Sequence, residues 1–215
     1  MPSPLPSPWS LSQAQVAIEA VAIVAFALSG LIEAARKRLD AVGVVVVAGL
    51  TAFGGGTLRD VLLDRRPFFW VHHANWLWAL LALCGAAMLF MRGRHIAPTE
   101  RAMQWPDALG LGLFAASGTQ IALDLQMPAI VAVLMGMVTA VFGGVLRDVV
   151  CNEIPRAFSD HRPYAVCAFA GGWVLVGAHA AGLSPELALA AGALRVAALL
   201  SGYTLPAWTA GLPPR

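Results

Sequence analysis

The chain has 215 residues, of which 59% are hydrophobic and 12% charged, and its formal net charge is +2. A soluble globular domain carries about 25% charged residues. Half that share cannot clothe a water-facing surface, so the chain is solvated largely by lipid. The small net charge, without a dense basic run, gives no argument for nucleic acid as a partner. Cys84, Cys151 and Cys167 have neither zinc-site nor CxxC spacing and read as small packing residues.

Residues 1–12 form a Pro/Ser-rich tail that lacks the positive n-region and cleavage site of a signal peptide, so the first apolar segment is expected in the mature protein. Long apolar runs broken by charged or Pro-rich joints then predict seven membrane helices, at 13–34, 41–63, 74–91, 106–123, 128–151, 163–182 and 186–203. The last is the weakest, because Arg195 lies inside it. Alternate joints differ in charge. One set collects Arg36, Lys37, Arg38, Arg92, Arg94, Arg101, Arg156, Arg162 and Arg215, and the other only Arg65 and Arg66. By the positive-inside rule the N-terminus lies outside and the C-terminus in the cytoplasm. Trp9, Trp70, Trp76, Trp78 and Trp105 fall near span ends, as interfacial anchors do.

Shifted by 88 residues, the sequence matches itself without a gap. Phe26-Ala27-Leu28-Ser29-Gly30 falls on Phe114-Ala115-Ala116-Ser117-Gly118, and Gly55-Gly56-Thr57-Leu58-Arg59-Asp60-Val61 on Gly143-Gly144-Val145-Leu146-Arg147-Asp148-Val149. Each copy holds three spans, an odd number, so the second starts on the opposite side of the membrane. An inverted repeat of this kind places a pathway or binding site near the midplane. The expected architecture is an all-α membrane protein. It has an extracytoplasmic tail (1–12), a three-helix repeat (13–92), its inverted copy (93–183), a seventh helix (184–205) and a cytoplasmic tail (206–215).

Chemistry concentrates in the second and fifth spans. Thr51 to Asp60 includes Gly54, Gly55, Gly56, Thr57 and Arg59, and Thr139 to Asp148 includes Gly143, Gly144 and Arg147. Each glycine costs about 1 kcal/mol in a helix relative to alanine, and consecutive glycines invite a break. The alternative is that they let helices approach closely. Symmetric clusters, each followed by intramembrane charge, favour a broken helix at a pathway. Neighbours on a helix diverge by about 100°, so Arg59 is not expected to pair with Asp60, nor Arg147 with Asp148. Topology instead suggests braces from Glu19 to Arg59 and from Asp107 to Arg147. Asp60 and Asp148 are then free to cap backbone or face a cation, and Arg195 could neutralise one of them. Ser29, Ser117, Thr51, Thr57, Thr119 and Thr139 add hydroxyls that could line such a path. No histidine pattern suggests a metal site, and none is placed to act as base to a serine nucleophile, which argues against an enzyme.

The pair Phe53-Gly-Gly-Gly-Thr-Leu-Arg-Asp60 and Phe142-Gly-Gly-Val-Leu-Arg-Asp148 resembles the prokaryotic branch of the trimeric intracellular cation channels, over about residues 13 to 203. The resemblance implies a homotrimer in a prokaryotic inner membrane, in contact with its lipids. It also implies a pore through each subunit, lined by the first, second, fourth and fifth spans, kinked at the glycines and permeable to monovalent cations. Potassium would be the chief ion, with potassium or sodium as permeant species rather than cofactors. Animal members carry a pore lysine and a basic phosphoinositide site; here Lys37 is the sole lysine and lies near neither motif. Phe142 stands where the first copy has Gly54, which suggests a tighter break or a gate. Some bacterial relatives are described as glycine transporters, so a secondary transporter for a small solute is the competing reading.

Overall fold

A computed structural model describes residues 13–94, 100–159 and 163–182. Six longer helices and two short ones make up the described chain. They are α1 (Gln13–Arg36), α2 (Ala41–Leu62), α3 (Phe69–His72), α4 (Asn75–Arg94), α5 (Glu100–Asp124), α6 (Ala129–Val150), α7 (Arg156–Ser159) and α8 (Ala165–Ala180). Six of the seven predicted spans are therefore helical close to their predicted bounds, and the seventh, with Arg195, lies outside the described residues. By length and composition α1, α2 and α6 can each cross a membrane. The four-residue helices α3 and α7 were not expected; each follows one of the Arg-Asp motifs.

The duplication extends to backbone geometry. Arg38 and Gln126 both adopt left-handed backbone, with φ of 54° and 58°, and so do Asp64 and Asn152, with φ of 49° and 57°. Both pairs obey the 88-residue shift. At each, the following amide bonds a carbonyl five residues back, as in Leu39 N to Ala34 O and Met127 N to Ala122 O, which closes the last turn in a left-handed cap. Asp and Asn tolerate this conformation better than most residues. Asp40 starts α2 by accepting from the Gly43 amide at 2.8 Å, while Pro128 occupies the corresponding position before α6.

Equivalent helices of the two halves pack against each other antiparallel. Along α1 and α5, Gln15 bonds Asp124, Glu19 meets Ser117, and Ser29 meets Asp107. Phe26 and its repeat equivalent Phe114 touch, with ring centroids 5.3 Å apart, and so mark the pseudo-two-fold axis. Helices α2 and α6 cross beside them. A Cβ on Gly55 would come well under 3.0 Å from the Thr139 carbonyl oxygen, and one on Gly143 equally close to that of Thr51. The inverted relation read from the sequence is thus carried by paired contacts. The outer helices break the symmetry: α8 packs on both α5 and α6, whereas α4 meets α1 and α2 more sparingly. An apolar groove of about 400 Å³ opens between α2, α4 and α6, lined by Phe53, Gly54, Trp70, Leu77, Phe142 and Leu146 among others.

Candidate functional site

Two clusters of buried charge sit at opposite ends of the α1/α2/α5/α6 core. In the first, Arg59 in the last turn of α2 donates from Nη1 to Glu19 Oε1 of α1 at 2.6 Å, and Ser117 Oγ of α5 donates to the same oxygen at 2.8 Å. In the second, Arg147 donates from Nη1 to Asp107 Oδ1 at 2.6 Å and to Ser29 Oγ at 2.6 Å, and Ser29 Oγ lies 3.1 Å from Asp107 Oδ1 as its donor. Both expected braces form. Each acid also takes a serine from the other repeat, so Ser29 and Ser117 join the two halves. All of these groups are buried. A buried charge is tolerated only when it is paired and hydrogen-bonded, and the repeat meets that requirement twice.

The expectation that Arg59 and Asp60 stay apart is overturned. Arg59 Nε donates to Asp60 Oδ1 at 2.9 Å, and Arg147 Nε to Asp148 Oδ1 at 2.8 Å. Adjacent Cα–Cβ bonds do diverge, but the long arginine stem lets the guanidinium swing back over the shorter carboxylate. Each aspartate also caps the following loop: Asp60 Oδ2 accepts from the Phe69 amide at 2.8 Å and Asp148 Oδ2 from the Arg156 amide at 2.9 Å. Of the two roles expected for these aspartates, backbone capping is the one the geometry shows, and α3 and α7 are fixed by it. The Phe69 ring then lies beneath Arg59, 5.2 Å from its Cζ, and fills the space that a side chain at Gly56 would need.

The glycines do not break their helices. Helix α2 runs through Gly54, Gly55 and Gly56, and α6 through Gly143 and Gly144, as continuous α-helix. Their role is close approach. Gly55 and Gly143 admit the opposing backbone, Gly54 receives Leu146, and Gly144 faces the Tyr164 hydroxyl. Gly30 and Gly118 do the same for Thr51 and Thr139, whose Oγ1 atoms would lie 2.7 and 2.5 Å from an added Cβ. Those threonines donate back to Val47 O and Met135 O, both at 2.6 Å, the usual behaviour of a hydroxyl in an apolar helix. Thr119 likewise bonds Ala115 O at 2.8 Å, where α5, α6 and α8 converge. Thr57 lies at the groove, donating to Phe53 O and accepting from Trp70 Nε1 at 3.1 Å.

Sequence reasoning missed Glu33. It is buried in α1, pairs with Arg36 at 2.6 Å and Arg156 at 3.5 Å, and therefore ties α1 to the loop that Asp148 caps. Its repeat counterpart is Ile121, so a search guided by the duplication passes over it; an acid inside an apolar run was the available signal. Outside the helices Lys37 pairs with Glu153. This contact raises the lysine pKa and lowers that of the carboxylate through the hydrogen bond and the opposite charge. At the other end Arg65 adds a 3.3 Å contact to Asp60. Among the described residues no group of His, Cys, Asp and Glu could hold a metal ion.

Three comparisons bear on this arrangement. A family profile described as Glycine transporter matches residues 16–93 and again 104–180, once per repeat. A UPF0126 membrane protein of Vibrio cholerae is 38% identical over 78% of this chain and 69% of its own length, and one of Deinococcus radiodurans is 35% identical over 87% and 86%. The UPF0126 inner membrane protein YadS of Escherichia coli is 34% identical over 73% and 75%. Among solved structures, the TRIC trimeric intracellular cation channel orthologue from Rhodobacter sphaeroides aligns with a TM-score of 0.81 and 34% identity, over 89% of this chain and all of that one. A structure described for conductance through TRIC cation channels aligns at 0.79 and 31%, over 90% and 97%.

Proposed function

We infer the function from one premise: this chain belongs to the UPF0126 family of membrane proteins, and its fold is that of the TRIC cation channels. It is an integral membrane protein, and the reading supported best is a cation channel. The observation that carries it is the antiparallel pairing of α1 with α5 and α2 with α6. This pairing sets a Glu–Arg–Asp cluster at one end of the core and an Asp–Arg–Asp cluster at the other, with small residues between. A path along that interface meets carboxylates, hydroxyls and helix carbonyls, the oxygen chemistry that replaces a cation's hydration shell.

In finer terms the permeant ions are monovalent, chiefly potassium. The pathway runs through each subunit of a homotrimer in a bacterial inner membrane, with the N-terminus outside. Ser29, Thr51, Arg59, Asp60, Ser117, Thr139, Arg147 and Asp148 border it. Because the acids, arginines and serines are bonded to one another, the described geometry is a closed one, and conduction requires the braces to part. At the Gly55 and Gly143 crossing, where a Cβ on either glycine would meet the opposing backbone, α2 and α6 would have to separate as well.

Planar bilayers containing the purified protein under a potassium gradient test this reading, with Asp148→Asn and Gly144→Ala recorded in parallel. Unitary currents reversing near the potassium potential, and altered by either substitution, are expected. Silent bilayers from folded protein, together with glycine uptake into the same liposomes, would transfer the reading to a secondary transporter.

A further inference from the structure

The two charge clusters are equivalent by repeat but not equally buried: the side chains of Glu19 and Arg59 are 0% exposed, those of Asp107 and Arg147 7% and 2%. At the Asp107 end the acid, Arg147 and Ser29 close a triangle, because Arg147 Nη1 reaches both Asp107 Oδ1 and Ser29 Oγ. At the Glu19 end Arg59 Nη1 and Ser117 Oγ both go to Glu19 Oε1. The second carboxylate oxygen, Oε2, is buried and accepts no hydrogen bond, and Arg59 Nη2 is buried and donates none. Nη2 lies 2.9 Å from Asp60 Oδ1, a charge contact at an angle that makes no hydrogen bond. Glu19 and Arg59 are both fully buried. A buried carboxylate oxygen without a hydrogen bond carries its desolvation penalty, and a guanidinium nitrogen held only by a poorly angled charge contact still has a donor to give, so the chain gains by hosting something that serves both.

We propose that Glu19 Oε2 and Arg59 Nη2 form a binding site for one water molecule, which donates to the carboxylate and accepts from the guanidinium. The chemistry selects water over a cation. Glu19, Asp60, Arg59 and Arg65 already sum to zero charge, and a metal ion at Oε2 would sit against Arg59. A buried water needs two to four polar partners, and this pair supplies two. Resting on the channel reading, the site places a trapped water at the Glu19 end of the pathway, sealed from solvent by the burial of Glu19 and Arg59.

The test is a crystal structure of the full chain grown from a lipidic mesophase, at a resolution that shows ordered water, for the wild type and for Glu19→Asp, with a wild-type data set in rubidium. The expected result is a peak within hydrogen-bond distance of both Glu19 Oε2 and Arg59 Nη2, lost in Glu19→Asp, whose shorter stem draws the carboxylate away. A wild-type map with no peak between these atoms overturns the proposal even if the variant does not fold. A peak that acquires anomalous scattering in rubidium also overturns it, by making the guest a cation. A water peak in a protein whose bilayers stay silent would keep the site and remove the channel reading, so the two failures are distinguishable.

Discussion

Residue by residue, the buried arginines carry the heaviest consequences. Arg147 is almost wholly buried and bonds Asp107, Asp148 and Ser29 at once. Removing one partner of a buried pair costs about 3–5 kcal/mol, because the remaining charge is left uncompensated. Arg147→Leu should therefore lower thermal stability in detergent far more than the double variant Arg147→Leu with Asp107→Asn, and a double-mutant cycle on melting temperatures measures the difference. Equal losses would mean that the brace contributes nothing as a unit. The glycines give a second prediction with its own control. Gly55→Ala and Gly143→Ala drive a methyl into opposing backbone, whereas nothing lies within 4 Å of the position a Cβ would take at Gly85 or Gly177. Overpacking typically costs about 1–3 kcal/mol, so the first pair should destabilise by at least that much. Gly85→Ala and Gly177→Ala should be neutral or slightly stabilising, since alanine is the better helix former.

Among the elements, the parts legible in the sequence were those written twice. Six helices and both acid–arginine braces followed from hydropathy and from one 88-residue shift. The role of the glycines did not, because a glycine run is equally compatible with a broken helix and with close packing; only the placement of α2 against α6 decides between them. Glu33 escaped because the other repeat has isoleucine there, and α3 and α7 because four residues show no periodicity. The joints reveal a further element-scale link, Lys37 after α1 with Glu153 after α6. The carboxylate pKa is depressed, so its contribution is present above the ordinary glutamate range and is lost as pH falls through the lowered value. The lysine pKa is raised, so its contribution is complete below the ordinary lysine range and is lost only as pH rises through the raised value. The pair should thus hold from mildly acidic to alkaline pH. Lys37 is the sole lysine in the chain, so zero-length carbodiimide coupling should yield one internal peptide, joining it to Glu153. The crosslink should vanish in Glu153→Gln. If it persists there, Lys37 has another partner.

For the molecule as a whole, the inverted repeat makes the two membrane faces alike in fold and different in charge. Glu19, Arg59, Asp60 and Arg65 gather toward one face. Asp107, Arg147 and Asp148 gather toward the other, which also receives Glu33, Arg36, Lys37, Glu153 and Arg156. Two inverted halves with equal charge could insert either way. The basic residues around Arg36, Lys37 and Arg38 are expected to break that tie, because segments rich in Lys and Arg favour the cytoplasmic side. The same rule predicts the direction of the proposed pathway, with the face carrying Asp107 toward the cytoplasm and the face carrying Glu19 outside. An impermeant amine reagent tests this, since Lys37 is the one side-chain amine. It should label Lys37 in inside-out membrane vesicles and leave it unmodified in right-side-out vesicles, with peptide mapping separating this label from the N-terminal amine. Labelling from the outside alone would invert the assignment of both ends. Equal labelling from both would mean that the charge difference is too weak to orient the repeat, and that the chain inserts in two directions.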